Sequence, residues 1–276
     1  MQINFTKMHG LGNDFVVIDA INQPISLTSE QFQFIANRRL GVGCDQILLV
    51  EPSEMQSVDF RYRIINADGG EVEQCGNGAR CFAQFVLDKG LTKNNRITVE
   101  TQSGQIELNI EPNGNVRVDM GEPVLQPGLI PFVADFQATE YEIEVNHQVH
   151  SIGVVSMGNP HAVIRVNSTE SAAVHSLGPE IEHHGRFPNR VNVGFMQIID
   201  SQNINLRVWE RGTGETQACG TGACAAVVSG ILRGWLDSRV IVNLQGGQLV
   251  VQWNGENHSV MMTGPATSVF EGTILL

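Results

Sequence analysis

Alternating apolar and polar positions recur along most of the chain and predict short β-strands. Four segments show this alternation clearly, two of them around a glycine turn: DFRYRII from Asp59, RITVETQSGQIEL from Arg96, INLRVWE from Ile204 and RVIVNLQGGQLVV from Arg239. Two further segments, beginning at Ala79 and Ala223, instead carry apolar residues at helical spacing. Both end in a cation followed by glycine, Lys89-Gly90 and Arg233-Gly234, as helix C-termini prefer. The pattern predicts an α+β fold.

The chain also repeats itself once. Cys75-Gly76-Asn77-Gly78-Ala79 corresponds to Cys219-Gly220-Thr221-Gly222-Ala223 at a spacing of 144 residues, and each turn opens one of the predicted helices. Weaker sequence matches lie upstream of the two cysteine turns: Gly12-Asn13 matches Gly158-Asn159, and Gly43-x-x-Gln46 matches Gly194-x-x-Gln197. We therefore expect two pseudo-symmetric domains from an internal duplication, each a mostly antiparallel sheet wrapped around a central helix.

Composition narrows the classes of function. With 42% hydrophobic residues, the 276-residue chain can fill two sizeable cores. Its net charge of −12 argues against binding nucleic acid or anionic lipid through charge alone. No apolar run approaches the roughly 20 residues that span a bilayer, and the N-terminus lacks a signal-like apolar stretch, so we expect neither membrane insertion nor export.

Cysteine and lysine usage bears on compartment and cofactors. Five cysteines are an odd number for a disulfide framework, so a reducing cytoplasm is the expected location. Their spacings do not match zinc-binding motifs, and none of the three lysines lies in the phosphate-cradling setting that pyridoxal phosphate requires. We expect no metal and no cofactor, and a small molecule as the substrate.

Cys75 and Cys219 differ from the other three cysteines in position. Cys44, Cys81 and Cys224 read as small buried hydrophobic residues. Cys75 and Cys219 each precede a Gly-x-Gly that opens a helix, where unpaired backbone N–H groups and the helix dipole favour negative charge. This position predicts a thiol pKa lowered toward neutrality and a binding site for a carboxylate.

Two equivalent acid–base groups suit a reaction that removes a proton from one face of a carbon and returns it to the other. The predicted chemistry is therefore inversion at a stereocentre through a planar carbanion, as in an epimerase or racemase. If the two halves pack about a pseudo-twofold axis, Cys75 and Cys219 face each other across a cleft, and the two helix N-termini stabilise the developing charge on the substrate.

The residues resemble the diaminopimelate epimerase family along essentially the whole chain. The motifs that carry the resemblance are FTKMHGLGNDF from Phe5, Cys75-Gly76-Asn77-Gly78-x-Arg80, Gly158-Asn159-Pro160-His161, Asn189-Arg190-Val191-Asn192, Glu210-Arg211-Gly212 and Ala218-Cys219-Gly220-Thr221-Gly222. The resemblance implies a homodimeric, cofactor-independent epimerase that interconverts LL- and meso-diaminopimelate, in lysine and peptidoglycan precursor biosynthesis.

The resemblance also implies roles for individual residues. Cys219 is the expected base and Cys75 the expected acid in the LL to meso direction, with His161 and Glu210 supporting catalysis. Arg211 can bind the distal carboxylate of a two-headed substrate through its planar guanidinium group. The full set of expected substrate-binding residues is Asn13, Gln46, Asn66, Gly76, Asn77, Asn159, Asn192, Glu210, Arg211, Gly220 and Thr221.

Domain limits follow from the repeat together with the resemblance. The Pro- and Gly-rich segment 121–131 reads as a linker, and the C-terminal tail returns to the first domain in the family. We expect an N-terminal domain of residues 1–119 plus 265–276 and a C-terminal domain of residues 120–264. Phe270 stands where some members carry a tyrosine of the dimer contact, which removes a hydroxyl from that contact.

Two other functions remain open from the sequence. One is a cofactor-independent racemase of another amino acid on the same fold. The other is a redox-responsive small-molecule binding protein in which Cys75 and Cys219 form a switchable disulfide. Loss or gain of activity on oxidation separates the second alternative from an epimerase.

Overall fold

The chain divides into two compact units. A computed structural model describes residues 1–72, 75–102 and 104–276. Unit 1 comprises Met1–Asp119 and Thr263–Leu276, and unit 2 comprises Met120–Met262. Residues 73, 74 and 103, which belong to the predicted repeat segments, lie outside the described residues.

Strands dominate both units. The elements up to residue 119 are β1 (Gln2–Gly10), β2 (Asn13–Asp19), α1 (Ser29–Ala36), β3 (Gln46–Glu51), β4 (Phe60–Asn66), β5 (Glu71–Val72), α2 (Gly76–Asp88), β6 (Arg96–Thr101), β7 (Gly104–Ile110) and β8 (Val116–Asp119). The remaining elements are β9 (Tyr141–Val145), β10 (Gln148–Ser156), β11 (Pro160–Arg165), α3 (Val174–Glu182), β12 (Asn192–Asp200), β13 (Asn203–Glu210), β14 (Gly214–Thr216), α4 (Gly220–Leu232), β15 (Arg239–Leu244), β16 (Gly247–Gln252), β17 (Met261–Gly264) and β18 (Thr267–Leu275).

The two units join their strands in the same succession of pairings. In unit 1, β1 and β2 are antiparallel, β2 and β3 parallel, β3 and β4 antiparallel, β4 and β6 parallel, and β6 and β7 antiparallel. Unit 2 repeats this succession with β10, β11, β12, β13, β15 and β16. The prediction of a duplicated, mostly antiparallel α+β fold is confirmed.

In each unit, strands pack around one long helix, as the apolar spacing predicts. Helix α2 contacts β1, β2, β3, β7 and β8, and α4 contacts β10 to β13 and β16. Gly78 in α2 lies against the Tyr62 hydroxyl, and a Cβ at this glycine would come within 2.3 Å of that oxygen. Helix α4 is buried without interruption from Gly222 to Gly230, so its nearly all-apolar sequence matches its central position.

The strand register corrects one of the weaker sequence matches between the two halves. Phe15 lies beside Gln46 in the parallel pair of β2 and β3, and His161 lies beside Asn192 in the parallel pair of β11 and β12. Phe15 lies two residues after Asn13, and His161 lies two residues after Asn159, so Phe15 and His161 correspond in the repeat. Their strand partners, Gln46 and Asn192, therefore correspond as well. The sequence match of Gln46 with Gln197 is therefore wrong, since two shared residues are too few to specify a register.

Candidate active site

Both cysteine turns form N-caps of the long helices. Cys75 has extended backbone angles (φ −147°, ψ 106°), and its Sγ accepts a hydrogen bond from the Gly78 N–H at 3.4 Å. Cys219 repeats this arrangement (φ −115°, ψ 110°), with the Gly222 N–H 3.3 Å from its Sγ. Each sulfur therefore lies at the positive end of a helix, next to a backbone donor.

Three predicted residues of unit 1 gather around the Cys75 turn. Asn13, at the start of β2, places its Oδ1 3.8 Å from the Cys75 Sγ, and Asn77 Nδ2 donates to the same oxygen at 3.2 Å. Gly76 and Asn77 form the buried first turn of α2. The fully buried Arg80 donates to Asn77 Oδ1 at 3.0 Å and fixes the orientation of that amide.

Gln46 and Asn66 form a separate amide pair. They lie opposite each other on β3 and β4, and Gln46 Nε2 donates to Asn66 Oδ1 at 2.8 Å. The other amide atom, Gln46 Oε1, is buried and accepts no hydrogen bond within the described residues. This leaves one acceptor available to a donor such as an ammonium group.

The surroundings of Cys219 contradict the predicted low thiol pKa. Burial, followed by the charge of Glu210, raises the pKa of Cys219 well above its usual range, although Thr221 and the Gly222 N–H act in the opposite direction. The Thr221 hydroxyl lies 3.5 Å from the sulfur. One helix terminus therefore does not overcome the desolvation of the thiolate, and this cysteine is held protonated.

His161 is a buried neutral imidazole. Its Nε2 lies 3.0 Å from Asn159 Oδ1, and its Nδ1 is buried without a hydrogen-bond partner among the described residues. Burial, with a smaller contribution from the Arg211 charge, lowers the pKa of His161 to about 3. Such a group remains uncharged at neutral pH and offers hydrogen bonds rather than charge.

Asn192 supports the turn that carries Arg211. Asn192 Nδ2 donates to the Pro160 carbonyl at 2.9 Å, and its Oδ1 accepts from the Arg211 backbone N–H at 2.9 Å. The Arg211 guanidinium donates to the Asn189 carbonyl at 3.0 Å, and its side chain is exposed. It retains donors with which to bind a carboxylate.

Sequence reasoning missed two sets of supporting charges. Glu182, nearly fully buried at the end of α3, accepts from Trp209 Nε1 at 2.7 Å and from the Gly212 N–H at 2.9 Å, which supports the turn after β13. In unit 1, charged groups surround the start of β2: Lys7, Asp14, Arg38 and Asp45. Lys7 and Asp14 belong to the motif that begins at Phe5, so their opposite charges could have indicated an ion pair beside Asn13.

The remaining cysteines match the packing interpretation. Cys44, Cys81 and Cys224 are each at most 2% exposed, and burial raises the pKa of Cys44 and Cys81 to about 12. Across residues 1–72, 75–102 and 104–276, no cluster of three or more His, Cys, Asp or Glu side chains could hold a metal ion. Over the same residues, no helix combines the length and apolar character needed to cross a membrane.

Comparison with known proteins identifies a family. The model of the family described as diaminopimelate epimerase matches residues 5–126 and 153–269. A diaminopimelate epimerase of Azotobacter vinelandii is 59% identical over 276 residues, covering 100% of both chains. One from Thioalkalivibrio sulfidiphilus is 61% identical, covering 99% of both chains.

Solved structures resemble the fold at lower sequence identity. A PhzF-family phenazine biosynthesis protein from Bacillus anthracis aligns with a TM-score of 0.71 at 19% identity, over 100% of both chains. A hydroxyproline epimerase from Agrobacterium vitis aligns with a TM-score of 0.71 at 16% identity, over 99% of this chain and 92% of that one. At these identities the likeness shows a shared fold.

Proposed function

Because the chain belongs to the diaminopimelate epimerase family, we propose that it interconverts LL- and meso-diaminopimelate, with its own side chains and without a cofactor. The observation that carries this proposal is the repeated cap: two cysteines, each the N-cap of the central helix of its unit, each with a glycine N–H on its sulfur. Packing alone does not require the same thiol at both helix starts.

The proposed reaction moves one proton at the α-carbon. One thiolate removes the α-proton, which leaves a planar carbanion, and the other thiol returns a proton from the opposite face. The thiolate becomes a thiol and the thiol a thiolate, so charge is conserved. The N–H groups at Gly76 and Asn77, with those at Gly220 and Thr221, bind the adjacent carboxylate and stabilise its added charge.

The neighbours of each thiol support different roles. Cys219 is the base in the LL to meso direction, and Glu210, whose charge acts on this thiol, receives the thiol proton when the base forms. Cys75, with an amide oxygen facing its sulfur, is the acid. His161 stays neutral and orders Asn159 beside it. Microscopic reversibility exchanges the two roles in the reverse direction.

The rest of the substrate is held by amides and one guanidinium. Arg211 binds the distal carboxylate, and the free acceptor on Gln46 receives a substrate ammonium group. Asn13, Asn66, Asn159 and Asn192 complete the binding set. These residues suit a molecule with an amino acid group at each end. Proline has only one such group and would leave part of this binding set unused.

The assembly and compartment belong to the same proposal. We propose a cytoplasmic homodimer built from two such chains, with the two units of each chain as its catalytic halves. Strand β18 exposes Val269 and Phe270, and Phe270 packs edge-on against Phe5 at 6.0 Å, which offers apolar surface for a partner copy. Sedimentation at several protein concentrations tests the dimer.

Proton exchange in deuterated water tests the function directly. The protein should incorporate deuterium at the α-carbon of LL-diaminopimelate and form meso product in a chiral assay. Cys75→Ala and Cys219→Ala should each lower turnover by about 10³-fold or more, because each removes one acid–base group. Cys224→Ala, a buried cysteine five residues into α4, is the matched control and should retain activity.

Several outcomes would contradict the proposal. Wild-type protein that exchanges no α-proton lacks the activity, and full turnover by either cysteine variant removes the two-thiol mechanism. Faster exchange with proline than with diaminopimelate would favour the racemase of another amino acid.

A further inference from the structure

One carboxylate controls which way the Asn13 amide faces. Asn13 Nδ2 donates to Asp45 Oδ2 at 2.8 Å, and the Asp14 backbone N–H reaches the same oxygen at 3.1 Å. Arg38 Nη2 holds the other carboxylate oxygen, Asp45 Oδ1, at 2.7 Å. A carboxylate only accepts hydrogen bonds, so the amino group of Asn13 must face Asp45 and its carbonyl oxygen must face away.

A second contact requires the same orientation. Arg80 only donates hydrogen bonds, so the Asn77 oxygen faces Arg80 and the Asn77 amino group faces Asn13. With both anchors satisfied, the Asn13 carbonyl oxygen lies 3.8 Å from the Cys75 sulfur, within reach of the S–H proton. A hydrogen bond accepted from the S–H group stabilises the protonated thiol relative to the thiolate.

We propose that Asp45 is a positioning residue: held by Arg38, it fixes the Asn13 amide so that its carbonyl oxygen keeps the Cys75 thiol protonated and aimed for its role as acid. This inference rests on the proposed function, in which Cys75 donates a proton. In this proposal Asp45 acts on the Cys75 sulfur through the Asn13 amide.

Unit 2 has no corresponding group, which supports a specific role over a general structural one. Val191, fully buried, occupies the position of Asp45, and Pro160 that of Asp14. The counterpart of Asn13 is Asn159, whose oxygen lies against the His161 ring. The charged cluster thus serves the thiol of one unit only.

Two further groups that act on Cys75 come from β4 and α2. Tyr62 and Cys81 both interact electrostatically with this cysteine, and both are themselves buried. Neither contacts Asp45 or Arg38 through a hydrogen bond of the described residues, so substitutions in the charged pair leave these neighbours in place. Asp45 and Arg38 side chains are 44% and 57% exposed, which makes both positions tolerant of substitution.

Alkylation of Cys75 against pH, read by peptide mass spectrometry, tests the role in the full-length protein without needing turnover. Asp45→Asn removes a negative charge, and Arg38→Met removes a positive one from the same cluster. Charge alone would shift the Cys75 titration in opposite directions. Loss of amide positioning instead shifts the Cys75 titration toward lower pH in both variants, so that alkylation of Cys75 at pH 7 becomes about three- to tenfold faster. The alkylation of Cys219 serves as an internal reference.

The outcomes separate the role of Asp45 from the proposed function. Faster Cys75 alkylation in both variants, with Cys219 unchanged and circular dichroism unaltered, supports the positioning role. Opposite shifts, or no shift, overturn it. A wild-type protein that exchanges no α-proton contradicts the epimerase itself, and that result comes from the deuterium assay alone.

Discussion

The two units share one backbone plan but differ in the charge of their site positions. Where unit 1 has Phe15, Gln46 and Asn66, unit 2 has His161, Asn192 and Glu210 at corresponding strand positions. All of the unit 1 members are uncharged at neutral pH, whereas unit 2 contributes a carboxylate and, one residue later, the guanidinium of Arg211. Duplication gives the two units matched backbone geometry, and divergence of a few side chains suits a substrate of which only one end reacts.

The two thiols show the same divergence. Cys219 is 4% exposed and is influenced by Glu210, while Cys75 is less buried and faces the Asn13 amide. A symmetric pair of helix starts thus carries two chemically distinct groups. This difference is expected when one thiol must begin each turnover as a base and the other as an acid.

Removing the charge that distinguishes unit 2 should have the largest effect. Glu210→Gln gives this position an amide, as Asn66 does in unit 1, and should lower kcat by about 100-fold or more because the proposed proton acceptor for Cys219 is lost. It should also lower the pKa of Cys219, since the Glu210 charge contributes to raising it. Steady-state kinetics and alkylation profiles measure both effects. Glu256→Gln, at an exposed position, is the control. Equal kcat values for Glu210→Gln and the wild type would contradict the role of Glu210 as proton acceptor.

Substituting alanine for the glycine that donates to each thiol, Gly78 or Gly222, should lower the free energy of unfolding by different amounts. Gly78→Ala places a methyl group against the Tyr62 hydroxyl and should destabilise the protein by about 1–3 kcal/mol. Gly222→Ala meets its nearest neighbour, a Val208 methyl, at 3.1 Å and should cost less than about 1 kcal/mol. Urea unfolding measures both. Adding Tyr62→Phe should recover part of the Gly78→Ala loss, and a lack of recovery would contradict the steric cause.

The pH dependence of stability provides a further comparison of the two units. The pKa of His161 is about 3 in the fold and about 6.5 when unfolded, so its contribution is complete above pH 6.5 and is lost as pH falls toward 3. At pH 5.5 this loss amounts to about 1.4 kcal/mol relative to pH 8. His161→Phe, which copies Phe15, should remove this component from unfolding curves. An unchanged difference between the two pH values would show that His161 does not titrate in this way.

The fold could be predicted from the sequence to an unusual depth because the repeat is visible. The segments from Arg96 and Arg239 form β6–β7 and β15–β16 among the described residues, and the two Cys-Gly turns open helices as expected. Alternation and capping are local signals, so a single copy reveals them, and the second copy provides a check.

Long-range geometry and local dielectric could not be predicted in the same way. The match of Gln46 to Gln197 failed because hydrogen bonding between strands, rather than a short motif, determines register. The pKa of Cys219 rises because surrounding residues exclude water from the thiol, and burial is a property of the packed chain. Asp45 and Glu182 escaped notice for a related reason: their partners are distant in sequence or on another element.

Strand β18 has a consequence for how the molecule is made. Gln2 to His9 of the first strand pair with Leu275 to Thr267 of the last. During synthesis, β1 emerges from the ribosome before β18, so this edge of its sheet stays unpaired until β18 is made, whereas the strands of unit 2 precede β18 in the chain. A truncation that removes the last dozen residues should therefore leave unit 1 unfinished while unit 2 can still fold.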